Sequence, residues 1–273
     1  MLLISGGIAD PNIACIVSTA ARLGVDVRIA YAGINKVTWD LGEDLLVDGR
    51  KIRPTAIFQR QNVFGFDPQN NNKLLAWYQN WYGLIRAYQI GRGVRGFDCD
   101  VHSAWNKGLD LLSAQKLGFR IPRTLATDCD IPPDSIYKPM MGGQHTVLAK
   151  DRSVFNTGPG FVQEHLTGME YRIYLAGNDY YAFRMETDSL DYREKQDVNV
   201  IEVSPAQFRE TELVGKLARQ IGLHYAACDL KNDKDNHLCF LEINSAPMFS
   251  EFDRAAGGRL SESMVRWLVD QNG

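Results

Sequence analysis

Asp229, Glu242 and Asn244 are the residues most suited to chemistry. Cys228-Asp229-Leu230 precedes a polar loop, and Phe240-Leu241-Glu242-Ile243-Asn244 follows it. The two apolar runs predict a β-hairpin. Residues two apart on a strand share a face. Glu242 and Asn244 therefore point the same way, continuing the face of Leu238 and Phe240. Asp229, on the partner strand, reaches about the same level. Two carboxylates and an amide oxygen so close repel unless a cation lies among them. Mg²⁺ accepts such hard oxygen ligands and bridges carboxylates to phosphates. A half-buried hairpin with solvated acids at its end accounts for the same residues equally well.

Three further segments suit an anionic, nucleotide-like ligand. Tyr137-Lys138-Pro139 is followed by Gly142-Gly143. Glycines let backbone N–H groups approach phosphate oxygens, and the lysine adds a point charge. Lysines beside glycine turns are also common on surfaces. Phe161-Val162-Gln163-Glu164-His165-Leu166 is an apolar strand with a polar end, and Glu170-Tyr171-Arg172 comes after it. Backbone groups there can read a base, and an acid can accept from ribose hydroxyls. Asp191-Tyr192-Arg193 offers an arginine to clamp a phosphoryl group. Gly91-Arg92-Gly93-Val94-Arg95-Gly96 matches G-x-G-x-x-G in letters only. It follows a helix instead of a strand, so it reads as a linker. No G-x-x-x-x-G-K-[ST] occurs, which excludes a P-loop.

The elements that must position these groups alternate early and turn β-rich later. Strands are predicted at Leu2–Ser5, Val25–Ala30 and Thr55–Phe58, with a helix at Asn12–Leu23, as in a small parallel α/β unit. Ligands of such sheets lie beyond strand C-termini. Gln59-Arg60-Gln61-Asn62 thus faces a substrate or forms a plain polar loop. Leu74, Trp77, Tyr78, Trp81, Ile85 and Tyr88 recur at helical spacing and read as core packing. Helices are predicted from Ser103 to Lys116, over Glu210–Ile221 and over Ser261–Val269. Gly177-Asn178-Asp179 predicts a hairpin turn.

Composition bounds the class. The 273 residues carry 45 % hydrophobic and 23 % charged side chains and a net charge of −3. This length and balance describe a globular chain of two or three subdomains. With no basic block, neither nucleic acid nor membrane surfaces are expected partners. Cys15, Cys99, Cys129, Cys228 and Cys239 are odd in number and scattered, which predicts reduced thiols. No signal peptide or membrane span is evident, and a cytoplasmic location is expected. A homo-oligomer is neither required nor excluded.

Taken in order, these segments resemble the ATP-grasp superfamily. The resemblance runs from about Asn106 to Phe249, over half the chain. It rests on Asn106-Lys107, Ile121-Pro122-Arg123-Thr124, Lys138-Pro139, Gly142-Gly143, Gln163-Glu164-His165-Leu166, Glu170-Tyr171-Arg172, Asp191-Tyr192-Arg193, Asp229 and Glu242-Ile243-Asn244. The branch it resembles most holds ribosomal-protein glutamate ligases and graspetide (microviridin-type) peptide ligases, through Trp105-Asn106-Lys107 and Gly118 to Leu125. The resemblance implies mixed α/β and α+β architecture: an N-terminal α/β domain over 1–95 and an ATP-grasp body over 96–273, with the central subdomain and lid in 137–190. It implies ATP with Mg²⁺, or Mn²⁺ in its place. Lys107, Lys138, Gly142 and Gly143 would contact ATP. Gln163, Glu164, His165 and Leu166 would form the hinge at the base, and Glu170 would bind ribose. Arg172 and Arg193 would stabilise the transferred phosphoryl group, and Asp229, Glu242 and Asn244 would hold the metal. The implied reaction joins a carboxylate to an amine or hydroxyl through an acyl phosphate, on a peptide, protein tail or amino acid. A kinase-like phosphotransferase and a non-catalytic nucleotide-binding module are the alternatives.

Overall fold

The computed structural model describes residues 1–41, 43–67, 70–97, 107–127, 132, 134–140, 146–148, 159–186 and 198–270. Chain contacts divide it into two units, Met1–Phe97 with Met248–Gly273, and Asp98–Pro247. Among the described residues, no helix is long and apolar enough to cross a membrane.

The first unit is an α/β layer. Its strands β1 (Leu2–Gly6), β2 (Val27–Tyr31), β3 (Val37–Trp39), β4 (Leu45–Val47), β5 (Arg50–Ile52), β6 (Ala56–Gln59) and β7 (Arg95–Gly96) form two sheets. One has the order β2-β1-β6-β7 and its pairs are all parallel. The other is the antiparallel meander β3-β4-β5. Helix α1 (Pro11–Arg22) starts where Asp10 accepts the backbone N–H of Asn12 at 2.8 Å and Pro11 takes the first helical position. That is a favoured helix start, since proline lacks only an N–H that would be unpaired there anyway.

Helix α2 (Asn72–Gly91) places part of its aromatic stripe in the core, as expected, and part outside it. Ile85 and Tyr88 are buried, but Trp77 is 45 % exposed. Trp81 and Leu84 pack against the same core of Leu3, Ile57 and Leu45, so the stripe is core from Trp81 onward and leaves it at Trp77.

The chain's last helices, α5 (Ser250–Ala255) and α6 (Arg259–Val269), pack with the first unit. Asn12 Oδ1 accepts the backbone N–H groups of Phe249 and Ser250 at 2.7 and 3.0 Å. Phe97 stacks on Trp267 at 4.9 Å. The sequence suggests one body over 96–273, whereas chain contacts group Met248–Gly273 with the first unit. Return of the chain to an earlier layer leaves no local signature, because it depends on which distant apolar surface remains uncovered.

The second unit holds two antiparallel sheets. β8 (Thr124–Thr127), β9 (Ser135–Pro139), β10 (Val147–Leu148) and β11 (Gly160–Glu164) take the order β10-β9-β11-β8. β12 (Glu170–Ala176), β13 (Asp179–Glu186), β14 (Asn199–Val203), β15 (Tyr225–Asn232) and β16 (Leu238–Asn244) take the order β14-β13-β12-β15-β16. Gly177 supplies φ +65° at the β12–β13 turn, a conformation glycine adopts without steric cost. One face of the five-stranded sheet is apolar. Ile173, Leu175, Cys228, Leu230, Phe240 and Ile243 pack against Leu111 and Ala114 of α3 (Lys107–Leu117) and Val214 and Leu217 of α4 (Glu210–Gln220).

Candidate functional site

The other face of this sheet is polar. Arg172 is the cross-strand partner of Asp229, and Asp229 is the partner of Glu242. Arg172 Nε donates to Asp229 Oδ1 at 2.5 Å and Nη2 to Oδ2 at 2.7 Å. This bidentate pair is the planar match that arginine makes with a carboxylate. Asn244 Nδ2 lies 3.2 Å from Asp229 Oδ2 and 3.2 Å from Glu242 Oε1. Lys107, the first residue of α3, reaches Glu242 Oε2 at 2.9 Å. Lys231 Nζ lies 3.4 Å from Glu170 Oε2.

A β-bulge decides this arrangement. Asp229 pairs with Glu242 but Leu230 pairs with Phe240, so Leu241 is an extra residue on β16. Strict alternation, the expectation from sequence, puts Phe240 and Glu242 on one face. The bulge resets the alternation, so Phe240 and Ile243 both enter the core although they are three apart. Glu242 and Asn244 are thereby turned to the polar face with Asp229.

Burial and neighbouring charge pull these acids apart. Burial pushes the Asp229 carboxyl up to about 6; Arg172 opposes the shift, and Glu242 and Glu170 add to it. Burial acts the same way on Glu242, but Lys107 and Lys138, together with hydrogen bonds from Lys107 and Asn244, hold its carboxyl at about 2. Lys138 on β9 is lowered by burial, with Glu242 opposing and Lys107 adding to the shift. Lys138 therefore belongs to the field of this cluster. Glu170 acts on both Asp229 and Lys138.

The proposed base-reading strand divides between two faces. Cross-strand partners share a face, so the register of β8, β9 and β11 puts Gln163, Phe161 and Lys138 on one side and Val162 and Glu164 on the other. Gln163 Nε2 donates to Thr124 Oγ1 at 3.0 Å, while its buried Oε1 has no partner. Glu164 lines a separate cleft of about 360 Å³ with Arg123, Asp134 and Ser135. Its backbone N–H donates to Arg123 O at 2.9 Å. Leu166 is buried and His165 half-buried beyond the strand end. Gly142, Gly143 and Arg193 lie outside the described residues.

The structure therefore brings together Lys107, Lys138, Glu170, Arg172, Asp229, Glu242 and Asn244, and not the Glu164 side chain. Sequence reasoning missed Lys231. Its place two residues after Asp229 on one strand was the signal, since that spacing keeps it on the same face. In the first unit, Arg60 Nε is committed to the buried carboxylate of Asp10 at 3.1 Å. Asn62 Oδ1 accepts the N–H of Phe64 at 3.2 Å.

No family model and no curated relative matches the chain. Several solved structures share its fold. The ATP-grasp ligase PsnB, complexed with a minimal precursor, superposes with a TM-score of 0.75 at 23 % identity, covering 97 % of this chain and 98 % of that one. The macrocyclase MdnC from Microcystis aeruginosa MRC, bound with precursor peptide MdnA, gives 0.72 at 18 % identity over 99 % and 100 %. The VanG D-Ala:D-Ser ligase from Enterococcus faecalis gives 0.64 at 13 % identity over 98 % and 99 %. The chain thus has the ATP-grasp fold over nearly its whole length, in line with the fold class expected from its sequence.

Proposed function

We propose that this chain is an ATP-dependent ligase that joins a carboxylate to an amine or hydroxyl through an acyl phosphate, releasing ADP and phosphate. The observation that carries this reading is the grouping of Asp229, Glu242, Asn244 and Arg172 on one sheet face, with Lys107 bonded to Glu242 and Lys138 in the field of the acids. Of the ligases named above, PsnB and MdnC were solved with precursor peptides, and a PsnB complex also holds Mg and ADP. They support a peptide, or an amino acid joined to one, as the substrate here.

The donor set fits Mg²⁺. It offers carboxylate oxygens, and Glu242 is kept ionised by the lysines beside it. Asn244 now turns its nitrogen to both acids, and half a turn of its amide offers the oxygen in the same place. Glu242, Asp229 and Asn244 would hold the ion, which supplies charge neutralisation at phosphate oxygens. Lys107 and Lys138 bind the polyphosphate and lower its charge. Arg172 fixes the Asp229 carboxylate in one orientation. The substrate carboxylate oxygen attacks the terminal phosphorus, ADP leaves, and the incoming amine or hydroxyl displaces phosphate. No nucleophilic side chain is required, because positioning and fixed charge supply the acceleration.

The test is isotopic. A carboxylate carrying ¹⁸O should pass one labelled oxygen to released phosphate. Label in AMP would indicate adenylation, and label retained in unchanged acid would indicate simple ATP hydrolysis. A stable phosphorylated product with no condensation would indicate a kinase. Each of those results rejects the ligase reading.

A further inference from the structure

One side chain at the carboxyl edge of the parallel sheet carries two buried polar atoms without partners. Gln59 ends β6, and both its Nε2 and its Oε1 are buried and make no hydrogen bond. Among the described residues it is the one amide with both polar atoms in that condition. A donor and an acceptor left unpaired cost folding free energy that an apolar side chain of equal size would not. Such a group calls for a functional explanation.

The neighbouring polar groups have partners of their own. Gln59 lies beside Ser5 in the β1–β6 register, and Ser5 Oγ accepts the Trp81 indole N–H at 3.3 Å. Arg60 is engaged by Asp10, and Asn62 by the backbone of Phe64.

The same edge carries exposed apolar side chains. β1, β2 and β6 run parallel, so the loops that follow them open together, and α2 begins there. Ile8, Ile34, Val63 and Trp77 are 62 %, 58 %, 37 % and 45 % exposed. They follow β1, β2 and β6 and occupy the second turn of α2. Trp77 stacks on Trp81 at 5.7 Å, and Tyr78 packs on Phe66 at 5.0 Å. Exposed apolar groups gathered at one place mark a binding surface, and open α/β sheets bind ligands at this edge.

We infer that this edge binds an extended peptide segment, with the Gln59 carboxamide bonded to the N–H and C=O of a single peptide residue. In a strand, one residue's own N–H and C=O point to the same side. A primary amide can therefore donate to that carbonyl and accept from that N–H at once. Gln59 as a residue is only half-buried, so a change of side-chain rotamer is the movement that would present both atoms. Ile8, Ile34, Val63 and Trp77 then take the apolar side chains of the segment. This inference rests on the peptide-ligase reading and names how the peptide would be held.

Full-length protein should be screened against a library of terminally blocked random octapeptides without nucleotide. A retained peptide is then measured on wild type and on Gln59→Met, which keeps the length and removes both hydrogen-bonding atoms. Gln59→Leu takes its place if that variant does not fold. We expect at least a tenfold loss of affinity and a melting temperature no lower than wild type. Methylating the backbone nitrogen at one peptide position should cost wild type at least tenfold and cost the variant nothing more. A library from which wild type retains nothing overturns the inference. So does binding by the variant within twofold of wild type, or an N-methyl penalty undiminished on the variant. Binding of an ATP analogue to wild type is measured separately. Its failure would count against the ligase reading and leave the peptide result standing.

Discussion

Arg172 and Asp229 face each other across β12 and β15 and form a two-point ion pair that is buried on both sides, at 2.5 and 2.7 Å. Glu242 and Asn244 share the polar face of the sheet with this pair, Lys107 of α3 bonds Glu242, and Lys138 of β9 lies within the electrostatic field of the acids.

The pair should behave as a unit in denaturation. Removing one partner strands a charge in a low-dielectric site, which costs about 3–5 kcal/mol. Arg172→Met alone should cost that much by urea titration. Combining it with Asp229→Leu should recover a large part, because neither charge is then stranded. Additive losses in the double variant would show that the two residues are energetically independent.

Glu242 is held ionised by two lysines, and its carboxylate is the charge they share. Glu242→Gln keeps the shape and removes that charge. Phosphate release should fall by about 100-fold or more, since even indirect supports of a metal site cost 10–100-fold. The circular dichroism spectrum should be unchanged. A wild-type rate and Mg²⁺ dependence in the variant would refute the metal assignment.

Arg60 is a test of folding more than of substrate use. Its guanidinium neutralises Asp10, whose side chain is 0 % exposed and caps α1. Arg60→Ala leaves that carboxylate buried without its cation, and a loss of about 3 kcal/mol is expected. Chemical denaturation of the variant measures it. An unchanged midpoint would show that Asp10 is neutralised elsewhere.

Cys15 should be inert at neutral pH. Burial, and then the hydrogen bond to Asp253 at 2.9 Å, push its thiol up to about 12. Native protein at pH 8 should resist iodoacetamide at Cys15, and urea-unfolded protein should not, as peptide mass spectrometry will show. The folded state keeps this proton above the pH at which the unfolded chain loses it. Its contribution to stability is therefore complete below about pH 9 and is lost as pH rises towards 12. Cys15→Ala should show a shallower loss of stability over that window than wild type.

Much of this protein was legible in its sequence. Alternation and turn residues marked the β15–β16 hairpin, and Asp229, Glu242 and Asn244 stood out on it as a group. The order of the glycines, lysines and acids from Asn106 onward pointed to the ATP-grasp fold, and the structural neighbours bear that out. These signals are local, because strand period, turn chemistry and side-chain type are set within a few residues.

Other features came only from the assembled chain. The extra residue at Leu241 turns Glu242 away from Phe240, and no pattern in Leu238–Asn244 announces it. The pairing of Arg172 with Asp229, of Arg60 with Asp10 and of α6 with the first unit joins residues far apart in sequence. Gln59 reads as an ordinary polar residue until packing buries its amide without a partner. Each of these depends on which distant surfaces meet and on what water is excluded when they do, and a single strand or helix holds no record of that.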